Sequence, residues 1–175
     1  AEDTTRYRLH DSLTREAVLL QPDFIVWPET MFPTPMRSVA KGVTDKQILE
    51  QLPAQLLQAY GNDTDPLIQN WRAEDVQKRL EMHAQASGAA LVIGVESVVA
   101  EKDRLRVCNS AAFIRPDLGY SGRYDKIHRV VFGEYIPLKN IFPWLHKLTP
   151  FGSTFGIDKG ESVRMFEYGG HRIAP

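Results

Sequence analysis

Asp3 and Thr4 can cap a helix in which Leu9, Leu13, Ala17 and Leu20 recur at three- to four-residue spacing until Pro22 forbids continuation. Phe24-Ile25-Val26-Trp27 is a short apolar run between Pro22 and Pro28, too short for a helix, and predicts a buried strand with Glu29 just past its end. Pro33, Pro35 and Gly42 break the pattern. Thr44 followed by Gln47 then forms a capping box for a helix to about Tyr60, which Pro53 kinks or divides. After Gly61-Asn62-Asp63, Val76, Leu80, His83 and Ala84 mark one face of a helix from about Ala73 to a stop at Gly88.

Ala90 to Glu96 is almost wholly apolar and predicts a strand buried on both faces, followed by a polar turn at Glu101 to Arg104 and a second strand, Leu105 to Ile114. Tyr120, Tyr124 and Ile127 suggest another short strand. Prolines and glycines then crowd residues 132–160, which predicts a long structured loop, a type of segment that is often functional. Val163 to Tyr168, Gly169-Gly170 and His171 to Ala174 give a hairpin with a type I′ turn. Strand, helix, strand and hairpin indicate an α/β layered fold in one domain, with residues 33–72 as a candidate insertion.

Composition narrows the function. Twenty-one Lys plus Arg against 22 Asp plus Glu leave no basic excess for a polyanion, so nucleic acid is not the expected partner. The longest apolar stretch, Ala89 to Val95, falls far short of the roughly 20 residues of a membrane span. The single Cys108 cannot form an intrachain disulfide, and the five histidines show neither an i,i+4 pair nor a neighbouring cysteine, so no metal site is expected. Ala1 at the start, and an apolar run cut at His171 to Pro175, read as an excerpt of a longer protein.

Candidate chemistry centres on two places. Glu29 follows a strand directly, where α/β folds form ligand sites, and a partly desolvated carboxylate there can act as a general base. It can equally be a capping or salt-bridging residue. Lys126 lies among Asp125, His128 and Glu134, with Gly133 allowing a close backbone turn. A lysine between carboxylates stays protonated and can face a developing oxyanion; the bland alternative is a surface ion-pair cluster worth about 0–1 kcal/mol.

Together these residues resemble the nitrilase (carbon–nitrogen hydrolase) superfamily, and within it the membrane branch, the apolipoprotein N-acyltransferases. Ile25-Val26-Trp27-Pro28-Glu29-Thr30 resembles the strand ending in the base glutamate. Tyr124-Asp125-Lys126, His128, then Phe132-Gly133-Glu134-Tyr135 and Pro137 resemble the lysine segment, and Asn109-Ser110-Ala111 the strand ahead of it. Val131 replaces a proline common in that string, and the 33–72 stretch lengthens the connection after Glu29. The resemblance implies an α-β-β-α sandwich, incomplete at both ends, with Glu29 as general base, Lys126 as oxyanion stabiliser and Glu134 as its support. It further implies a Glu-Lys-Cys triad whose cysteine lies beyond Pro175, so that the excerpt alone is inactive.

The implied reaction moves an acyl chain from phospholipid, through a cysteine thioester, to the N-terminal diacylglyceryl-cysteine of an apolipoprotein. No metal or organic cofactor is implied. Transmembrane helices outside the chain would anchor the enzyme in the bacterial inner membrane, with this domain on the periplasmic side. A soluble nitrilase-type amidase acting on a small amide, or a non-catalytic binding module on the same scaffold, are the alternatives. Cys108 precedes Lys126 and is expected to be a small buried hydrophobe rather than the nucleophile. The aromatic segment from Ile141 to Phe155, with Lys139, His146 and Lys147 interleaved, suits an interfacial helix or acyl-chain wall, or else lid packing. Gly152 to Gly156 lacks the lysine of a phosphate loop.

Overall fold

The computed structural model describes residues 2–131, 133–137, 141, 144 and 156–175, with side chains from residue 5 onward. Most of the predicted 132–160 loop, and with it the aromatic segment, lies outside the described residues. The elements are α1 (Glu2–Val18), β1 (Phe24–Trp27), β2 (Met36–Val39), α2 (Asp45–Glu50), α3 (Ala54–Tyr60), α4 (Asp65–Arg72) and α5 (Asp75–Ser87). They continue with β3 (Ala90–Ala100), β4 (Leu105–Arg115), β5 (Gly119–Asp125), β6 (Phe166–Tyr168) and β7 (His171–Ile173). The fold is mixed α/β, as expected from the sequence.

β3 is the axis of the five-stranded sheet. Its apolar run is buried on both faces from Ala90 to Val95, and it forms the long antiparallel hairpin with β4 that the polar turn requires. β5 pairs antiparallel with β4, beyond a register shift at Phe113/Ile114. On the other edge β1 runs parallel to residues 90–93 of β3, and β2 runs parallel to residues 97–100. One edge is therefore made of two collinear strand pieces, and the chain leaves the sheet between them at residues 28–35.

Strand alternation divides the core in two. Ile25, Trp27, Leu91, Ile93, Val95, Ala112 and Ile114 face one side, where Val76, Leu80 and Ala84 of α5 cover them. Ala90, Val92 and Phe113 face the other, under the β6–β7 hairpin, with the Phe113 and Phe166 rings stacked 4.6 Å apart. Helix α5 ends where expected, at Gly88 with φ 68°. The hairpin turns at Gly169 (φ 59°) and Gly170 (φ 79°), the two positive angles of a type I′ turn. The capping box forms, with Gln47 N donating to Thr44 Oγ1 and Thr44 N donating to Gln47 Oε1, and the helix it opens is divided at Pro53.

Three local expectations need correction. In α1 the buried face is not the leucine stripe: Leu9 and Leu13 are exposed, and contact is made instead by Tyr7, His10 and Thr14. Polar aromatic groups win because they hydrogen-bond: Tyr7 Oη lies 3.2 Å from His83 Nε2, and Trp27 Nε1 donates to Thr14 Oγ1 at 2.9 Å. Strand β1 is covered on one face only, since Val26 is 59 % exposed. The 33–72 stretch contains β2 and α4 as well as the expected helices, and Val43, Ile48, Leu52, Leu67 and Trp71 build a small core against Ala100 at the end of β3.

The buried bond between Trp27 and Thr14 ties α1 to the strand that delivers Glu29. Thr14→Val keeps the volume and orphans the indole N–H, an effect of about 1–3 kcal/mol. A fall in the urea midpoint with an unchanged m-value is the expected result.

Candidate functional site

Glu29 stands where β1 has ended and the chain crosses over β3. Trp27 anchors the last strand position, Pro28 cannot extend the ladder, and Met31 N and Phe32 N both donate to Gly94 O, at 3.0 and 3.1 Å. The crossing is close. A Cβ at Gly94 would lie 2.0 Å from Pro28 O and 2.7 Å from Glu29 Cα, so only glycine fits beneath it. Thr30 then takes φ 54°, a left-handed conformation unfavourable for a β-branched residue, before buried Phe32 and Met36 return the chain to the sheet.

Lys126 arrives from the opposite edge. Its N–H extends the ladder by donating to Asn109 O at 2.8 Å, and its carbonyl accepts from Gly160 N at 2.9 Å. Gly160 packs so tightly that a Cβ there would come 1.9 Å from Asp125 O. The Asp125 carboxylate accepts from Ser110 Oγ (2.7 Å) and Arg123 Nε (2.8 Å), which fixes the residue preceding the lysine. Glu134 comes from the turn after it: Glu134 N donates to Val130 O (2.8 Å) and Val130 N donates back to Glu134 Oε2 (2.9 Å).

The three residues meet in space. Lys126 Nζ donates to Glu134 Oε1 at 2.8 Å and to Glu29 Oε1 at 3.3 Å, and Asn109 Nδ2 also donates to Glu29 Oε1. Exposure is graded across the cluster, with side chains 10 % exposed at Glu134, 28 % at Lys126 and 58 % at Glu29. Glu29 is thus the open end, more exposed than the partial desolvation expected from its strand-end position. It lines a cleft of about 410 Å³ together with Val26, Val92, Asn109, Lys126 and Pro175.

The hydrogen bond it donates to Glu134 is the main reason the Lys126 pKa is raised; burial opposes it and Glu29 reinforces it. Burial alone would push the Glu134 carboxyl up, but Lys126, the Val130 N–H and Asn109 together hold it below its ordinary value. The lysine is therefore a fixed cation. Two of its three protons are directed at carboxylates, and the third is uncommitted among the described residues. The arrangement can hold an oxyanion at that position and take a proton at the exposed carboxylate of Glu29.

Cys108 lies on β4 one residue before Asn109, on the opposite face of the sheet, opposite Ser97 and fully buried. Burial first, and the Asp125 charge second, push its thiol up to about 11. His128 lines the cleft. Two positions received no role from the sequence. Asn109 was matched as a strand motif only, yet it binds Glu29. Gly94 passed as part of an apolar run, although a glycine inside a doubly buried strand is itself a sign of another backbone's close approach.

No family model matches the chain. Among curated proteins, an apolipoprotein N-acyltransferase from Rhodopirellula baltica is 26% identical over 163 residues, covering 87% of this chain and 28% of that protein. Those from Geobacter metallireducens and Pasteurella multocida are 36% identical over 70 residues and 32% identical over 121 residues; the chain covers 13% and 19% of them, and 40% and 66% of its own length is matched. The chain is similar in sequence to the apolipoprotein N-acyltransferases. It spans less than a third of the length of the relatives it matches. Solved structures similar in fold include the NitN amidase from Neterenkonia sp. AN1, at TM-score 0.48 and 16% identity, covering 98% of this chain and 50% of that one. A CN-hydrolase superfamily protein from Xanthomonas campestris has TM-score 0.48 and 19% identity, covering 98% and 46%.

The crossing at Gly94 and the Lys126–Glu134 pair each generate a prediction. Gly94→Ala drives a methyl into Pro28 O, so Glu29 must move; a chemical-shift map should show displacement of residues 28–32, with a stability loss of about 1–3 kcal/mol. For pH, Glu134 with a lowered folded pKa contributes stability that is complete above its unfolded value, roughly pH 4.3, and is lost as pH falls through the lower folded value. Lys126 with a raised pKa contributes stability complete below roughly pH 10.4 and lost as pH rises through the folded value. Denaturation of Glu134→Gln across pH should lack the acid-side component and show a weakened alkaline one.

Proposed function

We propose that this domain carries the acyl-transfer centre of a membrane-anchored N-acyltransferase, with Glu29, Lys126 and Glu134 as its charged machinery. The observation that carries the reading is Lys126 held between Glu134 and Glu29 at the mouth of a cleft that Pro175 also lines. The acyl donor is a phospholipid and the acceptor the N-terminal diacylglyceryl-cysteine of an apolipoprotein. The nucleophile is a cysteine of the segment following Pro175 in the longer protein.

In this mechanism Glu29 takes the thiol proton as sulfur attacks the acyl ester carbonyl, and Lys126 faces the oxygen that becomes negative. Collapse of the tetrahedral intermediate breaks the ester C–O bond; the leaving alkoxide receives the proton from Glu29, and a thioester remains. The acceptor's neutral α-amine then attacks the thioester carbonyl and gives a proton to Glu29. Breaking the C–S bond forms the amide, and the proton on Glu29 returns to the departing thiolate. Glu134 keeps Lys126 charged and aimed throughout. The enzyme sits in the bacterial inner membrane, anchored by helices outside this chain, with the domain on the periplasmic side; among the described residues no helix is long and apolar enough to cross a bilayer.

The test uses the full-length protein in phospholipid vesicles with a diacylglyceryl-cysteine peptide. Mass spectrometry should show N-acylation of the peptide, and Lys126→Ala and Glu29→Gln should each slow it by about 10²–10⁴-fold. Cys108 should carry no acyl group. Hydrolysis of a small amide without peptide acylation would replace this reading with an amidase.

A further inference from the structure

Across the sheet from the reaction cleft lies another of about 370 Å³, lined by Arg106, Tyr120, Arg123, Asp125, Glu161 and Arg164. Arg123 pairs with Ala112 in the β4–β5 register, and Ala112 belongs to the core under α5. Arg106 precedes Ala112 on β4 by an even number of positions, so strand alternation gives all three the face away from Asn109. Beyond the core, this inward-facing pattern therefore continues as arginine. Arg164 comes from a separate stretch that packs against the end of β5, where Asp158 N donates to Val107 O and Gly160 N donates to Lys126 O. A Cβ at Gly122 would come 3.3 Å from Arg164 Nη1, so the missing side chain is what lets this guanidinium lie against β5.

The charges in the cleft do not balance. The Arg106 and Arg123 side chains are only 14 % and 18 % exposed, and both donate to the one Asp125 carboxylate, Arg123 Nε at 2.8 Å and Arg106 Nη2 at 3.4 Å. The exposed Glu161 carboxylate stands 4.0 Å from Arg106 Nη2, outside hydrogen-bond reach. Arg164 forms no ion pair among the described residues. Residues 135–157 contain neither Asp nor Glu, so the chain leading into this stretch carries no further carboxylate. Three guanidiniums thus face one fixed and one loose carboxylate. A positive excess held mostly out of water is unfavourable until an anion completes it.

The donors for such an anion are in place. Arg106 and Arg123 each direct a single N–H at Asp125, which leaves most of their guanidinium donors uncommitted among the described residues. Burial pushes the Tyr120 phenol up against the pull of Arg123 and Arg164, so its hydroxyl remains a donor. Guanidinium forks match the oxygens of a phosphate, which can accept from several sides at once, as a carboxylate cannot.

We propose that this cleft binds a phosphate group, held by Arg106, Arg123 and Arg164. The inference stands apart from the acyl-transfer reading, because the cleft lies on the other face of the sheet and no step of that reaction uses it. An anionic lipid headgroup and a small soluble phosphate present the same group to the arginines, and the experiment separates them.

Full-length protein in a neutral detergent is titrated calorimetrically, at constant ionic strength, with inorganic phosphate and with a short-chain phosphatidylglycerol. Wild type should bind phosphate saturably. Arg164→Gln removes an exposed guanidinium without breaking an ion pair, and should weaken that binding by about ten- to a hundredfold, the effect of losing charge-assisted hydrogen bonds, with Arg164→Lys in between. If a lipid headgroup is the source, phosphatidylglycerol binds about tenfold or more tighter than inorganic phosphate and is weakened by Arg164→Gln to the same degree. If a soluble phosphate is the source, the lipid binds no tighter than the inorganic ion. Absence of saturable binding by both probes, or binding that Arg164→Gln leaves unchanged, overturns the inference. Acyl transfer is not read in this assay, so its failure leaves the reaction proposed above untouched.

Discussion

The passage of the Pro28–Glu29 backbone directly over Gly94 is the constraint from which the rest of the site follows. With no side chain at Gly94, two stretches of backbone touch, and Gly94 O can accept from both Met31 and Phe32. That contact interrupts one sheet edge and splits it into β1 and β2. It also turns Glu29 out over the sheet face, toward Asn109 and Lys126, instead of letting it continue along the edge. A second close contact, of Gly160 on Asp125, performs the equivalent task for the lysine from the other edge. Both charged groups are thus placed by backbone packing, which is stiffer than side-chain packing.

Electrostatics completes what the backbone begins. A lone lysine in a half-covered cleft would tend to lose its proton, and a lone buried glutamate would tend to gain one. Side by side, Lys126 and Glu134 each correct the other, and the Val130 N–H and Asn109 add hydrogen bonds to the carboxylate. The more exposed Glu29 shares the same lysine at a longer distance. One close and one looser carboxylate leave the cation fixed while the outer acid keeps access to solvent.

Much of this was legible in the sequence because the signals were local. The capping box at Thr44, the break at Pro53, the Gly88 stop and the Gly-Gly hairpin each depend on a few adjacent residues, and each forms as read. Glu29, Lys126 and Glu134 stand out by motif, and the structure brings both carboxylates onto Lys126. The failures have tertiary causes. Met36-Arg37-Ser38-Val39 has no strand pattern of its own and becomes β2 because the edge of β3 at residues 97–100 needs a partner. The leucines of α1 looked like a buried stripe, but Trp27 required a hydrogen-bond partner and drew Thr14 and the Tyr7 side inward. Asn109 and Gly94 matter through contacts some 80 and 65 residues away in sequence, respectively, which no local pattern encodes.

Cys108 gives the molecule an unexpected experimental convenience. Its sulfur is fully buried, and burial pushes its thiol pKa up to about 11, so that the thiol stays protonated at neutral pH. Alkylating reagents, which need both access and negative sulfur, will pass it by in the folded state. As the chain's single cysteine, Cys108 makes slow thiol labelling a clock for opening of the sheet itself.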